Sequence, residues 1–247
     1  MSSDYRNKLF KSYNKTHGAY LDSDDQSMLV WSFRYAKKNY LKHIEKYDRN
    51  SSKILEIGCN KGYLLSALNS FGFKKLYGVD LSPDDVQKAK DIVPGAAVDC
   101  IDARDYLRNN KGQFDIIVLK AVLEHVSKNE CISFLEEVKE GLVPDGIAII
   151  DVPNMDWVFA SHERYMDFTH EVGFTRESLA QIMRNVFAKV DIIKGRSVGS
   201  FTMRSRLAAF VRPVLIQLFT LSFMIVGEGA SEVWWNNRSI IGIGQDE

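Results

Sequence analysis

Two rhythms of apolar residues run along the chain. Short continuous apolar runs at Ile54–Ile57, Leu76–Val79, Phe114–Leu119 and Ile147–Val152 are bounded by turn residues, the pattern of strands buried on both faces. Between them apolar residues recur at three- and four-residue spacing, as at Leu64, Leu65 and Leu68 and again over 129–142, which predicts helices. Ser82-Pro83 supplies an N-cap and a first-turn proline for another helix, and Ala96–Cys100 predicts a third strand, followed by a helix over 103–109. A Pro144-Asp145-Gly146 turn, a helix over 177–186 and strands at Lys189–Ile193 and Ser239–Ile243 complete the prediction. Strands alternating with helices specify an α/β domain with a largely parallel sheet.

The first unit, Lys53 to Asp80, carries chemistry at both of its turns. Its first strand ends in a glycine turn, Gly58-Cys59-Asn60-Lys61-Gly62, and its second stops at Asp80. Glycines let backbone pass close to a ligand, the helix N-terminus offers N–H groups, and an acid at the second strand tip can accept both ribose hydroxyls. A nucleoside ligand follows. A dinucleotide fingerprint is excluded, because Asn60 and Tyr63 stand where it would have glycine, and no Walker-type lysine–serine pair follows.

Glu56-x-Gly58-x-x-x-Gly62 together with Asp80 resembles the first motifs of class I S-adenosylmethionine-dependent methyltransferases. Phe114–Val126, reading FDIIVLKAVLEHV, is similar to the fourth-strand motif of the same superfamily. The resemblance spans residues 53 to 152. It implies a Rossmann-like, mostly parallel seven-stranded sheet in the order 3-2-1-4-5-7-6, with helices on both faces. It also implies S-adenosylmethionine held by Glu56, Gly58, Cys59, Asn60, Gly62, Asp80, Leu81, Asp102, Ala103 and Lys120, with Asp102 at the adenine amino group. Asp102 also suits the N-cap of the helix that follows, and the two roles are compatible.

Past the fifth strand, His162, Glu163, Tyr165, Asp167, His170 and Glu171 crowd into ten residues where an open α/β sheet binds its ligands. Asp-Phe-Thr-His, followed by Phe174-Thr175 and a helix, resembles bacterial methyltransferases that modify cell-surface glycans of the O-antigen or capsule type. A hydroxyl acceptor needs a base. His170 is the candidate, tuned by Asp167, with His125 near the sulfonium or the acceptor. A His–Asp pair that only pins the loop is the structural alternative. The spacing matches no specific metal site, so no metal is expected.

Residues 1–50 precede the unit and read as a helical lid, with Tyr5, Tyr13 and His17 as polar-tipped residues able to face a ligand. The methyltransferase domain then covers 51–247, with an insertion at about 197–236. That insertion carries Arg196, Arg204, Arg206 and Arg212 and an uncharged run of fifteen from Pro213 to Gly227. Fifteen residues fall short of the ~20 that cross a bilayer, so an interfacial helix through Arg204–Gly227 is expected, with a dimer interface as the alternative. Trp234-Trp235 is either an interface anchor or packing.

Charge narrows the partners further. Lysine plus arginine and aspartate plus glutamate are 32 each, and no basic tract interleaved with aromatics occurs, so nucleic acid is not expected. Three scattered cysteines, Cys59, Cys100 and Cys131, and a polar N-terminus predict a cytoplasmic chain with reduced thiols, at the inner face of the membrane if the helix engages it. The expected acceptor is a glycan or glycolipid, O-methylated on a sugar hydroxyl or terminal phosphate. A soluble small-molecule O- or N-methyltransferase and a non-catalytic cofactor-binding scaffold remain alternatives, and a homo-oligomer stays open.

Overall fold

The computed structural model describes residues 9, 24–198, 203–226 and 233–246. Tyr5, Tyr13, His17 and most of the 18–25 loop lie outside them, as do the side chains of Arg204 and Arg206. The strands are β1 (Lys53–Ile57), β2 (Lys75–Asp80), β3 (Ala97–Cys100), β4 (Phe114–Lys120), β5 (Leu142–Pro153), β6 (Lys189–Lys194) and β7 (Ser239–Gln245). They form one sheet in the order β3-β2-β1-β4-β5-β7-β6. All neighbours are parallel except β7, which runs antiparallel to β5 and β6. This is the Rossmann-like methyltransferase sheet that the motifs implied.

The described helices are α1 (Asp25–Asn39), α2 (Leu41–Ile44), α3 (Tyr63–Ser70), α4 (Pro83–Ile92), α5 (Ala103–Arg108), α6 (Cys131–Gly141), α7 (Ala160–Tyr165), α8 (Arg176–Arg184) and α9 (Met203–Val226). Side-chain alternation along the strands divides the core in two. Ile54, Ile116, Val118, Ile147 and Ile149 face one side with Leu65 and Leu68 of α3 and Ala89 of α4. Leu55, Ile57, Ile117, Leu119 and Ile150 face the other with Leu107 of α5, Leu135 of α6 and Leu179 of α8. Caps fix where the helices begin. Ser82 Oγ accepts from Asp85 N, and Thr175 with Ser178 closes a reciprocal capping box at α8.

Two regions add detail to the sequence reading. The turn at Pro144-Asp145-Gly146 lies within the bounds of β5, as an irregularity that shifts the β4–β5 register between Phe114 and Ile116, with Asp145 at φ 63°. The turn residues bend the strand rather than end it. Residues 25–44, read as part of a lid, place Tyr35, Ala36, Tyr40 and Ile44 in the core. The hydroxyls of Tyr35 and Tyr40 both donate to Asp151 at the end of β5.

The insertion holds α9, a continuous helix that includes Pro213. Val211, Val214, Leu215, Leu218, Leu221 and Ile225 leave it as an exposed apolar stripe at three- and four-residue spacing. Phe219 reaches Trp235, ring centroids 6.1 Å apart, which ties the helix to the domain. Among the described residues no helix is long and apolar enough to cross a membrane.

Candidate active site

The carboxyl ends of β1, β2, β3, β4 and β5 share one edge of the sheet, and the chemistry-bearing residues gather there. The turn after β1 is built from left-handed backbone: Gly58 at φ 69°, Asn60 at 45° and Gly62 at 78°. Asparagine tolerates that conformation better than most side chains, so Asn60 closes the turn where glycine is not required. Gly58 is required, because a Cβ there would meet Val122 Cγ2 at 2.5 Å. Gly62 is the N-cap of α3 and has no side chain to offer. The buried Glu56 takes over that role: a carboxylate oxygen accepts from Leu65 N in the first turn of α3.

Asp80 locks the turn from the neighbouring strand. Its Oδ2 accepts from Asn60 N at 2.8 Å and its Oδ1 from Ser82 N at 2.9 Å. Each oxygen keeps a further lone pair for a ribose hydroxyl. Burial pushes the Asp80 carboxyl upward, against the pull of those backbone N–H groups. Cys59 is buried against Gly78, where a Cβ would lie 2.9 Å from its Sγ, while Leu81 is exposed at the rim. Asp102 is the N-cap of α5, its Oδ1 accepting from Arg104 N at 2.8 Å, with Ala103 as the first helical residue.

Lys120 ends β4 and stands opposite Asp151 in register. Its charge acts on three fully buried carboxyls, Glu56, Glu124 and Asp151, and opposes the upward shift that burial gives each. Beyond it Ala121 adopts φ 55° and turns the chain into the short 3-10 turn Leu123–His125.

The loop after β5 is stitched onto that turn. Glu171 N and Val172 N both donate to Glu124 O, at 2.8 and 3.1 Å. His170 thereby stands edge-on to His125, ring centroids 4.7 Å apart. His170 Nδ1 bonds the carbonyl of Glu163 at 2.8 Å, and Glu163 is itself anchored by Arg238. Asp167 Oδ1 accepts from both the N and the Oγ1 of Thr169, and that Oγ1 lies 2.9 Å from His125 Nδ1. The hydroxyl has a single proton, which it gives to Asp167, so it accepts from His125 Nδ1–H. Asp167 therefore orients His125 through Thr169, while the Glu163 carbonyl orients His170.

A family model described as a methyltransferase domain matches residues 30–186. The chain belongs to the methyltransferase-domain family. It is 26% identical over 159 residues to the ribosomal protein L11 methyltransferase of Thermosipho africanus, covering 59% of this chain and 59% of that one. An uncharacterised protein of Rickettsia prowazekii is 28% identical over 178 residues, covering 67% and 69%. The chain thus spans 59% of the length of the first of these relatives. A protein of Pyrococcus horikoshii superposes with a TM-score of 0.63 at 18% identity, over 96% of this chain and 100% of that one. A SAM-dependent methyltransferase from Archaeoglobus fulgidus gives 0.62 at 18% identity, over 90% and 100%. At such identities the superpositions show the fold.

The cofactor of this methyltransferase domain is S-adenosylmethionine, and the residues present fit it: a left-handed turn at a helix N-terminus beside an acid with lone pairs to spare. The sequence pattern set Asp167 to tune His170, whereas the carboxylate bonds Thr169 and through it His125, and His170 bonds the Glu163 carbonyl; Thr169 and the buried Glu124 did not stand out in it. Thr169 had a signal in the Thr-His dipeptide, and Glu124 in the Leu-Glu-His ending of the β4 motif.

Glu56 carries a pH prediction. Burial raises its carboxyl well above the ordinary 4.5, so the folded state keeps a proton that the unfolded chain has released above that value. Its contribution to stability is present below pH 4.5 and falls as pH rises. Glu56→Gln keeps an acceptor for Leu65 N without the charge. Urea unfolding is expected to show a variant more stable than wild type by about 1 kcal/mol at neutral pH, the gap closing in acid.

Proposed function

We propose that the protein transfers a methyl group from S-adenosylmethionine to an oxygen of a lipid-linked bacterial surface glycan, either a sugar hydroxyl or a terminal phosphate. S-adenosylmethionine supplies the methyl from its sulfonium. The chain's own residues hold the acceptor oxygen in line and receive its proton, with His170 as base and His125, oriented by Asp167 through Thr169, beside it.

The observation that carries the acceptor class is the pairing of an apolar helix with a basic cleft. The stripe on α9 is exposed, and a cleft of about 530 Å³ is lined by Lys38, Lys42, Lys194, Arg196 and Trp234. The cleft is lined from α1 and α2, the end of β6 and residues 234–237, and no residue of the glycine turn lines it. Four cations suit the phosphates of a lipid carrier, while the stripe suits the leaflet that holds it. Arg204 and Arg206 precede the stripe and Arg212 stands between its first two members, and all three add cations for lipid phosphates.

Incubation with methyl-labelled S-adenosylmethionine and an extract of the source organism tests the reading. Label is expected in the lipid-extractable or glycan fraction; label confined to small soluble products would move α9 to a dimer interface in a small-molecule enzyme. His170→Ala is expected to keep cofactor affinity and lose turnover by about 100-fold or more, the usual worth of a general base. Flotation checks the membrane contact separately: the protein should rise with anionic liposomes and stay below with neutral ones at raised salt. Flotation of neither kind would remove the membrane from the account.

A further inference from the structure

We propose that Glu124, His125 and His170 bind one divalent transition-metal cation, of the Mn²⁺ or Zn²⁺ kind, on the acceptor side of the methyl-transfer site. One ligand atom from each, the carboxylate oxygen and a ring nitrogen of each histidine, lies within 4.8 Å of the others. A cation with bonds of about 2.1 Å holds its ligands roughly 3 to 4 Å apart, so closure takes rotamer adjustment and no backbone movement.

The second observation is Glu124 itself. It is 2% exposed, and neither of its carboxylate oxygens finds a hydrogen-bond partner among the described residues. A buried carboxyl so placed is costly unless a proton or a cation meets it. A dication bound between the imidazoles would supply the missing charge at the ligand atoms.

Both histidines are set up for coordination. Metal-bound imidazoles generally donate their other ring N–H to a carbonyl or a carboxylate-linked group, which fixes the tautomer. His170 Nδ1 has the Glu163 carbonyl, and His125 Nδ1 has Thr169 Oγ1 backed by Asp167. That leaves Nε2 of each ring as the coordinating nitrogen. Two imidazoles and one carboxylate suit Mn²⁺, Fe²⁺, Co²⁺ or Zn²⁺, whereas Mg²⁺ and Ca²⁺ prefer oxygen alone.

Three protein ligands leave a position open. The role of that position rests on the methyl-transfer reading: an acceptor oxygen coordinated there loses its proton to water, attacks the methyl carbon, and the S–CH₃ bond breaks to leave neutral S-adenosylhomocysteine. His170 is then a ligand instead of the base. The binding itself does not depend on that role.

The test uses the full-length protein, stripped with EDTA and titrated with Mn²⁺ under electron paramagnetic resonance, with Zn²⁺ as competitor and no acceptor present. One Mn²⁺ per chain is expected, displaced by one Zn²⁺. Glu124→Gln and His170→Ala should each weaken it by at least about 100-fold, and Thr169→Val, which removes the link from Asp167 to His125 and leaves the three ligands in place, by about 10-fold. Titration of S-adenosylhomocysteine into the same samples reports that each variant is folded. No stoichiometric binding of either metal, or binding unchanged in His170→Ala, overturns the proposal. Metal binding without methyl transfer would sink the methyltransferase reading and leave the site standing, while metal-independent turnover that still needs His170 would restore it as the base.

Discussion

Asp80→Ala is expected to weaken S-adenosylhomocysteine binding by about 100-fold while the chain stays folded. The carboxylate does two things at once. It fixes the glycine turn through Asn60 N and Ser82 N, and it keeps lone pairs at the tip of β2 that a ribose would engage. Hydrogen bonds to a charged acceptor are worth about 1.5 to 3 kcal/mol each, so two of them amount to about 3 kcal/mol or more, which is the stated factor. Removing the turn anchor costs less, since both N–H groups can turn to water at the half-exposed rim. Asp80→Asn separates the two roles. Its amide keeps one acceptor but turns a donor toward a backbone N–H, so affinity should fall nearly as far as in alanine. Calorimetric titration measures the affinity, and a thermal shift with and without ligand shows where the loss lies: the apo transition should move little and the ligand-induced rise should disappear. An Asp80→Ala variant that binds as wild type would place the nucleoside elsewhere on the sheet edge.

The turn that Asp80 locks could be read from sequence because the information is local. Gly58, Gly62 and Asp80 lie within one strand–turn–helix–strand unit, where spacing fixes geometry. The same holds for the strand order, since the β4 motif and the runs around it specify a family whose sheet is known. What was hidden depends on contacts between distant residues. Nothing in the pattern around Tyr35 or Tyr40 says that their hydroxyls meet Asp151 more than a hundred positions away. Aromatics at helical spacing are more often packing, and the carboxylate that Tyr35 and Tyr40 meet stands on a distant strand. Glu124 is similar: the sequence shows a charged residue beside a histidine, a combination typical of solvent. Its side chain is buried, and its carbonyl accepts from Glu171 N and Val172 N of a loop distant in sequence. The Pro-Asp-Gly turn is a local signal and was legible: residues 143–146 have no partner in β4 and pairing resumes at Ile147, while the extension of the strand's bounds back to Leu142 was not.

Lys120→Met is expected to lower the free energy of unfolding by about 3 kcal/mol, the size of effect seen when one partner of a buried ionic group is removed. The lysine stem packs near Trp31 and Tyr35, its ammonium 5.2 and 5.6 Å from their ring centroids, and methionine can fill that space. The charge cannot be replaced. Glu56 and Asp151 are fully buried, and for both carboxyls Lys120 is the foremost influence opposing the upward push of burial. Without it they shift further up, which gives the effect a definite pH dependence. In the unfolded chain they titrate near 4.5 and 3.8, and in the folded protein higher, so each contributes stability below those values that is lost as pH rises. In the variant the loss is steeper. The gap between wild type and variant, read from urea midpoints, should therefore be small at about pH 5 and widen toward about pH 8. A gap of constant size would mean that Lys120 acts through packing on Trp31, and that the buried acids at this edge are held by the hydroxyls of Tyr35 and Tyr40 without need of a cation. A widening gap would show that the edge binding the cofactor is stabilised by the same charge that stands at its centre, so that affinity and stability cannot be tuned apart at this position.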